Sequence, residues 1–303
     1  MALKRRTDRI DFSVWWAAIK PPIYSVAIVP ITVGSAIAFA ETNAFNFRVF
    51  ATFLAAAVLI IAWLNLSNDV FDAETGVDRN KKTSVVNITG RKSVVFWVSQ
   101  ACLILALLGL AAIAWWLRDL TVLGLVLLAC SLGYSYQGPP FRLGYRGWGE
   151  PICFVCFGPI AIAAAYYAQA QAFSSAAWAA STVIGLTTTI ILFCSHFHQV
   201  EDDQRAGKRS PIVRLGTARG AQVLGGLTAG IFALVAVFVA VGLFPPSALL
   251  AGGSLPFAAG LVRYVRRYHH RPERVRSCKF IAVKFHFWSG MLLSLGFAGL
   301  VWA

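Results

Sequence analysis

The residues best suited to chemistry sit in one stretch, NLSNDVFDAETGVDRNKKTS, from 65 to 84. On a continuous helix Asn65, Asn68, Asp69 and Asp72 fall at i, i+3, i+4 and i+7, so two amides and two carboxylates share one face. Asp78 follows beyond Gly76. The preceding run is apolar, and anions at the end of such a run are tolerated where they face a protein interior or a watery cavity and meet positive charge. Carboxylates with amide oxygens form a hard donor set that suits Mg²⁺, which is usually held by one or two carboxylates together with substrate phosphates. A second cluster, HQVEDDQRAGKRS from 198 to 210, repeats the layout, with Glu201, Asp202 and Asp203 followed by Lys208 and Arg209. Two such rims facing each other make a site for a diphosphate.

The polar segments around these clusters offer further contacts. Lys81 and Lys82 lie in a loop of about 25 residues, long for a connection in a helix bundle and suited to cover a charged ligand. In YSYQGPPFRLGYRGWGEP, from 134 to 151, Gly138-Pro139-Pro140 stops a helix, and Arg142 and Arg146 supply guanidinium forks that match phosphate or carboxylate. His196 and His198 are two apart and point to different faces of a helix, which disfavours a shared zinc ion. His198 can meet Asp202, and Gln199 can meet Asp203, at i, i+4. Gly207-Lys208-Arg209-Ser210 lacks the spacing and the preceding strand of a P-loop. Cys153 and Cys156 form a CxxC, but inside an apolar run with no second pair, and read as packed thiols.

The elements that must position these groups follow from composition. Of the 303 residues 58% are hydrophobic and 13% charged, and the mean hydropathy is +0.66, which places the chain in the membrane class. Bilayer-length apolar runs predict an all-α bundle of about nine helices near 21–41, 48–68, 94–117, 119–136, 148–170, 178–199, 218–243, 246–263 and 284–303. The formal charge of +14 raises nucleic acid as a partner, but its distribution excludes it. With the N-terminus cytoplasmic, every Lys and Arg except Arg48 and Arg118 falls in a cytoplasmic segment, so basicity reports topology. The basic segment from Arg263 to Lys284 is read as facing anionic headgroups of the bilayer. Residues 1–303 are expected to form a single integral membrane domain.

NDVFDAETGVD resembles the first Asp-rich motif of the UbiA-type intramembrane prenyltransferases, and its spacing to Asp78 is similar to the branch that prenylates 1,4-dihydroxy-2-naphthoate, called MenA. GPPFRLGYRGWGE and GKRSPIVRLGT are similar to further segments of that branch, and HQVEDDQRAGKRSP most resembles its cyanobacterial, phytyl-attaching members. The likeness spans nearly the whole chain. It departs at the second motif, where the family usually has two Asp separated by three residues. Here Asp202 and Asp203 are adjacent and Gln199 stands at the strictly spaced position.

The resemblance implies Mg²⁺-dependent transfer of an isoprenoid, phytyl above others, from its diphosphate to 1,4-dihydroxy-2-naphthoate with loss of CO₂, in phylloquinone or menaquinone biosynthesis. It implies a cavity that opens toward the cytoplasm of a cyanobacterial inner or thylakoid membrane. Asn68, Asp69, Asp72, Asp78, Asp202 and Asp203 would then hold metal, with Gln199, Asp202 and Asp203 as alternatives for the ligand of the second rim. Asn68, Lys81 or Lys82, Arg142, Lys208 and Arg209 would take the diphosphate. Arg146 or Arg142, Tyr134 or Tyr136, Asn65, His198 and Gln199 would contact the acceptor. Homogentisate, 4-hydroxybenzoate or chlorophyllide are the alternative acceptors. A cation-coupled transporter is the reading from another class, and it requires acids at mid-membrane on broken helices.

Overall fold

The computed structural model describes residue 16, residues 20–75 and residues 84–299. Among them are eight helices long and apolar enough to cross a membrane, and a ninth, shorter apolar helix. We label them α1 (Pro21–Thr42), α2 (Phe47–Thr75), α3 (Lys92–Leu117), α4 (Thr121–Gln137), α5 (Gly149–Ala170), α6 (Ser175–His196), α7 (Thr217–Ala240), α8 (Pro246–Tyr268) and α9 (Cys278–Ala298). The described residues contain no β-strand.

Burial sorts the helices into a centre and a periphery. The most apolar window of α6 is 78% buried, whereas those of α3 and α7 are 22% buried, so the latter turn most of their apolar surface to lipid. α1 packs closely against α5 and α9, and α6 packs against α9 and α5, which makes α1, α5, α6 and α9 the inner layer. α2 and α3 pair extensively along one flank. Small residues permit these approaches. A Cβ on Gly34 of α1 would lie 2.7 Å from the Ala165 Cβ and 2.8 Å from the Ile162 carbonyl oxygen of α5.

Helix ends are held locally. The Ser174 hydroxyl accepts from the Ala176 and Ala177 N–H groups and caps α6. α1 and α3 end on Asn43 and Arg118 in the left-handed region, each donating its N–H to the carbonyl four residues back. On the side of the bundle away from the acidic clusters, Glu41 accepts from Ser174 at 2.7 Å and from Tyr166, so that carboxylate fastens α1 to α5 and α6.

Three boundaries differ from the sequence expectation in ways that matter for the site. α2 continues past residue 68 to Thr75, because nothing between Asn65 and Thr75 breaks a helix, and all four of its amide and acid residues stay on one rod. α6 stops at His196 instead of 199, and a separate short helix, Val200–Arg205, starts with Gln199 as its N-cap. α9 starts at Cys278 instead of 284, so Lys279 and Lys284 are helical residues, of which Lys284 is exposed.

Candidate functional site

α2, α4, α6 and the short helix Val200–Arg205 converge at one end of the bundle around a polar cavity of about 150 Å³. α2 contributes Asn65, Asn68, Asp69 and Asp72 to its lining. The i, i+3, i+4, i+7 spacing is what turns them the same way. The facing wall holds Ser195, His196, Gln199, Asp203 and Lys208, with Tyr136 and Gln137 from α4. The two acidic clusters therefore share one cavity. It adjoins a larger chamber of about 770 Å³, lined largely by aliphatic residues of α1, α2, α5 and α6 such as Val26, Ile61, Ile160 and Ile191. Lys20, Asn65, Asn68, Tyr136, Ser195, Gln199 and Asp203 line both spaces.

Each carboxylate of the polar cavity is held by protein groups. Asp69 is buried, and its Oδ2 accepts from the Val85 N–H at 2.7 Å, tying α2 to the short helix Val85–Thr89. The Asp72 carboxylate accepts from the Gln137 side-chain amide of α4. Asp203 is buried beside His196, with Oδ2 3.1 Å from Nδ1, and its Oδ1 lies 3.5 Å from the Lys208 ammonium. His196 Nε2 in turn stands 3.2 Å from Glu150 Oε1, an ion-pair distance outside hydrogen-bond alignment.

The electrostatics follow from this packing. Burial acts to raise the Asp203 carboxyl, but the hydrogen bond with His196 and the charge of Lys208 outweigh it and hold the carboxyl below its ordinary range. Burial acts to lower the Lys208 ammonium, but Tyr136, Asp203 and Asp72 around it keep it protonated well above the ordinary lysine range. His198 goes the other way: burial, then the charges of Lys279 and Arg276, push it down to about 4, so its imidazole is neutral at neutral pH.

Several expected residues sit elsewhere. Asp202 is exposed, 3.5 Å from Arg205, and borders the large chamber without lining the polar cavity, so Asp203 is the second-cluster acid that faces Asp72. Neighbouring residues on the short helix point about 100° apart, and of the two only Asp203 reaches the polar cavity. Tyr134 lines neither space: its ring meets Phe71 edge-on and its hydroxyl donates to the Pro139 carbonyl at 2.9 Å. Being two positions apart on α4, Tyr134 and Tyr136 diverge, and Tyr136 is the one that faces the site.

Arg142, Arg146 and Arg209 also lie outside both linings. Arg146 and Arg209 are exposed. The Arg209 N–H donates to the Tyr145 carbonyl and the Lys208 N–H to the Asp203 carbonyl, each at 2.8 Å, which directs the Lys208 side chain inward. His198 and Gln199 line the large chamber, and His198 Nδ1 is buried without a hydrogen-bond partner among the described residues. Asp78, Lys81 and Lys82 lie outside the described residues.

The site also holds residues that the sequence did not mark. Lys20 lines both spaces from the turn before α1, where Pro21 and Pro22 were legible only as a helix start. Tyr145 places its ring 6.0 Å from the Lys208 ammonium. Gln137 and His196 orient the acids. A helix-wheel reading continued past residue 136 would have put Gln137 at the end of α4, but nothing in sequence pairs it with Asp72.

Among the described residues no three His, Cys, Asp or Glu side chains form a cluster that could cage a metal alone. The oxygens of Asn68, Asp69 and Asp72 on one wall and Gln199 and Asp203 on the other instead fit Mg²⁺, which binds through one or two carboxylates with substrate phosphates completing its shell. The Asn65 amide nitrogen, buried without a partner among the described residues, is a donor still available to a ligand in this space.

A family model described as the UbiA prenyltransferase family matches residues 27–290. The chain is 55% identical to a 2-carboxy-1,4-naphthoquinone phytyltransferase of Synechocystis sp., over 94% of this chain and 92% of that one. It is 40% identical to the chloroplastic 2-carboxy-1,4-naphthoquinone phytyltransferase of Arabidopsis thaliana, over 93% of this chain and 76% of that one. A UbiA homolog from Archaeoglobus fulgidus, solved with DMAPP and Mg²⁺, superposes with a TM-score of 0.56 at 18% identity, over 93% of this chain and 99% of that one, which shows the shared fold.

Proposed function

The chain belongs to the UbiA prenyltransferase family, and on that premise we propose that it transfers an isoprenoid, phytyl above others, from its diphosphate to a 2-carboxylated 1,4-dihydroxynaphthalene, with loss of CO₂. The product is the prenylated 1,4-dihydroxynaphthalene, the quinol-level precursor in phylloquinone or menaquinone synthesis. The names carried by the Synechocystis and Arabidopsis relatives support this choice of donor and acceptor. The observation that carries the reading is the junction of a 150 Å³ polar cavity, lined by two opposed acid clusters and Lys208, with a 770 Å³ apolar chamber. A diphosphate and its hydrocarbon tail need those two environments side by side, and the chamber falls within the roughly 300–1,000 Å³ of small-molecule sites.

In this reading Asn68, Asp69 and Asp72 with Gln199 and Asp203 hold Mg²⁺, the ion bound together with DMAPP in the Archaeoglobus fulgidus homolog. Bound there, the metal supplies charge neutralisation for the departing diphosphate. Lys208, protonated and mostly buried, and Lys20 add positive charge against the leaving group as the allylic C–O bond breaks. Gln137, His196 and the Val85 N–H keep Asp72, Asp203 and Asp69 in place before substrate arrives. The aliphatic lining of the chamber excludes water from the allylic cation, and the Tyr136 ring offers it a π face. The diol form of the acceptor is the nucleophile, since its two hydroxyls enrich the ring. Attack forms the C–C bond, and the carboxyl leaves as CO₂.

The bundle is proposed to lie in a cyanobacterial-type inner or thylakoid membrane as one domain, residues 1–303, with the N-terminus and the acidic clusters toward the cytoplasm, as the distribution of Lys and Arg supports. The acids gather at one end of the bundle next to lysines, a placement that favours transfer over ion transport. The test is direct. Purified protein is supplied with 1,4-dihydroxy-2-naphthoate and phytyl, geranylgeranyl or longer diphosphates, with and without Mg²⁺, and prenylated product and CO₂ are followed. Equal turnover of homogentisate or 4-hydroxybenzoate, or no product with any donor, removes the reading.

A further inference from the structure

The acceptor of the proposed reaction is itself an anion, and its carboxylate cannot enter an apolar chamber without a partner at tolerable cost. The structure divides the cations of the site into two sets. Lys20 borders both spaces, but Lys208 lines the polar cavity and not the chamber, whereas Arg276 and Lys279 line the chamber and not the polar cavity. Only one set is placed for the diphosphate.

Arg276 and Lys279 flank the start of α9, and Ser277 between them also lines the chamber. The Ser277 side chain makes no capping hydrogen bond, and its carbonyl accepts from the Phe280 N–H at 3.0 Å. The Cys278 thiol donates to the Cys194 carbonyl at 3.2 Å in the buried core, which pins this helix start against the end of α6. That contact brings the basic pair to His198, whose buried Nδ1 has no partner among the described residues and which lines the same chamber. Phe280 adds an aromatic wall with the Lys279 ammonium 5.1 Å from its ring centroid.

We propose that Arg276 and Lys279, with the imidazole of His198, seat the carboxylate of the aromatic acceptor and so select a carboxylated ring over a neutral one. This rests on the prenyl-transfer reading and assigns the acceptor's anion to the start of α9. It replaces Arg142 and Arg146, which lie outside the chamber. Seated there, the acceptor ring lies inside the chamber, beside the polar cavity where the allylic cation is released.

The experiment uses the full chain in phosphatidylcholine nanodiscs. Affinity for 1-hydroxy-2-naphthoate and for 1-naphthol is read by quenching of tryptophan fluorescence, and KM for the prenyl diphosphate is measured in parallel. The Arg276→Gln/Lys279→Gln double variant is expected to weaken binding of the carboxylate about tenfold or more, while 1-naphthol and the diphosphate KM move less than about twofold. Lys279→Arg keeps most of the affinity that Lys279→Gln loses. Where the double variant does not fold, Lys279→Gln alone is read the same way. An unchanged preference for the carboxylate overturns the proposal, as does a defect that appears only when phosphatidylglycerol is added, which assigns the pair to lipid headgroups. Wild-type protein that turns over while the variants keep their selectivity refutes this assignment alone. Wild-type protein that neither binds the naphthoate nor transfers a prenyl group refutes the prenyl-transfer reading as well.

Discussion

Replacing Asp203 by Asn keeps the shape of the side chain and removes one charge from the most enclosed ionic group of the site. In the native protein that carboxylate lies 3.1 Å from His196 Nδ1 and 3.5 Å from Lys208 Nζ. At an effective dielectric of about 20, a pair at this separation attracts by roughly 4–5 kcal/mol, and breaking a buried pair by removing one partner typically costs about 3–5 kcal/mol. Lys208 keeps the nearby charge of Asp72, which offsets part of the loss, so we expect a destabilisation of about 3 kcal/mol, or roughly 5 °C in Tm for a chain of this size. The same substitution removes a proposed metal ligand, and a fall of about 10²-fold or more in kcat is expected, corresponding to roughly 2.7 kcal/mol or more of transition-state stabilisation.

The pH dependence separates the ionic contribution from a packing defect. The folded protein holds Asp203 below the ordinary carboxylate range, so its stabilisation is present above pH of about 4 and is lost as pH falls through the folded pKa. Lys208 is raised, so its share is complete below pH of about 10 and is lost only as pH rises through the folded value. The Tm difference between wild type and Asp203→Asn, read by thermal unfolding in detergent, therefore closes in acid as Asp203 protonates and narrows toward alkaline pH as His196, its partner at 3.1 Å, loses its proton. A variant whose Tm lies within about 1 °C of wild type, with turnover within about threefold, refutes the placement of Asp203 at the centre of this network.

Three further outcomes follow from the geometry. Chelation of divalent cations by EDTA abolishes prenyl transfer and Mg²⁺ restores it, measured as radiolabelled product; transfer that persists in excess chelator contradicts the metal assignment. Ala161→Trp projects a large ring into the apolar chamber that Ala161 lines, and shifts relative kcat/KM toward shorter prenyl diphosphates by about tenfold or more in a competition between geranyl and phytyl donors. Arg146→Gln and Tyr134→Phe leave KM for both substrates within about twofold, because neither side chain lines the site; a large rise in acceptor KM returns Arg146 to the acceptor.

Membrane spans are legible in sequence because the bilayer imposes a length and a polarity on each one, and runs such as 94–117 satisfy both without reference to any neighbour. The first acidic face was legible for a similar reason. Asn65, Asn68, Asp69 and Asp72 belong to one rod, and helical periodicity alone decides that they point together. The second cluster was not, because its direction depends on where α6 stops. Ending at His196 and restarting from Gln199 rotates Asp203 inward and Asp202 outward, a choice made by tertiary packing of Phe197, which is 1% exposed, and by His196 between two carboxylates. No spacing rule for a single continuous helix contains that turn.

The basic residues pose the harder problem, since two physical rules claim them at once. Topology collects Lys and Arg at one membrane face, and an anion-binding site at that face draws on the same residues. Sequence therefore presents Arg142, Arg146, Arg209, Lys208, Arg276 and Lys279 as equivalent, and the nearest to a turn of suggestive composition looks the most functional. Packing breaks the equivalence. Arg209 is exposed, and its N–H is spent on the Tyr145 carbonyl, whereas Lys208, one residue earlier, lies mostly buried between Asp203 and Tyr145. Arg276 and Lys279 read as headgroup contacts until α9 is seen to begin at Cys278, which carries them to the wall of the chamber. A cation at this face belongs to the site when packing places it on a cavity wall, as it does Lys208, Arg276 and Lys279 but not Arg209. Only the fold says which.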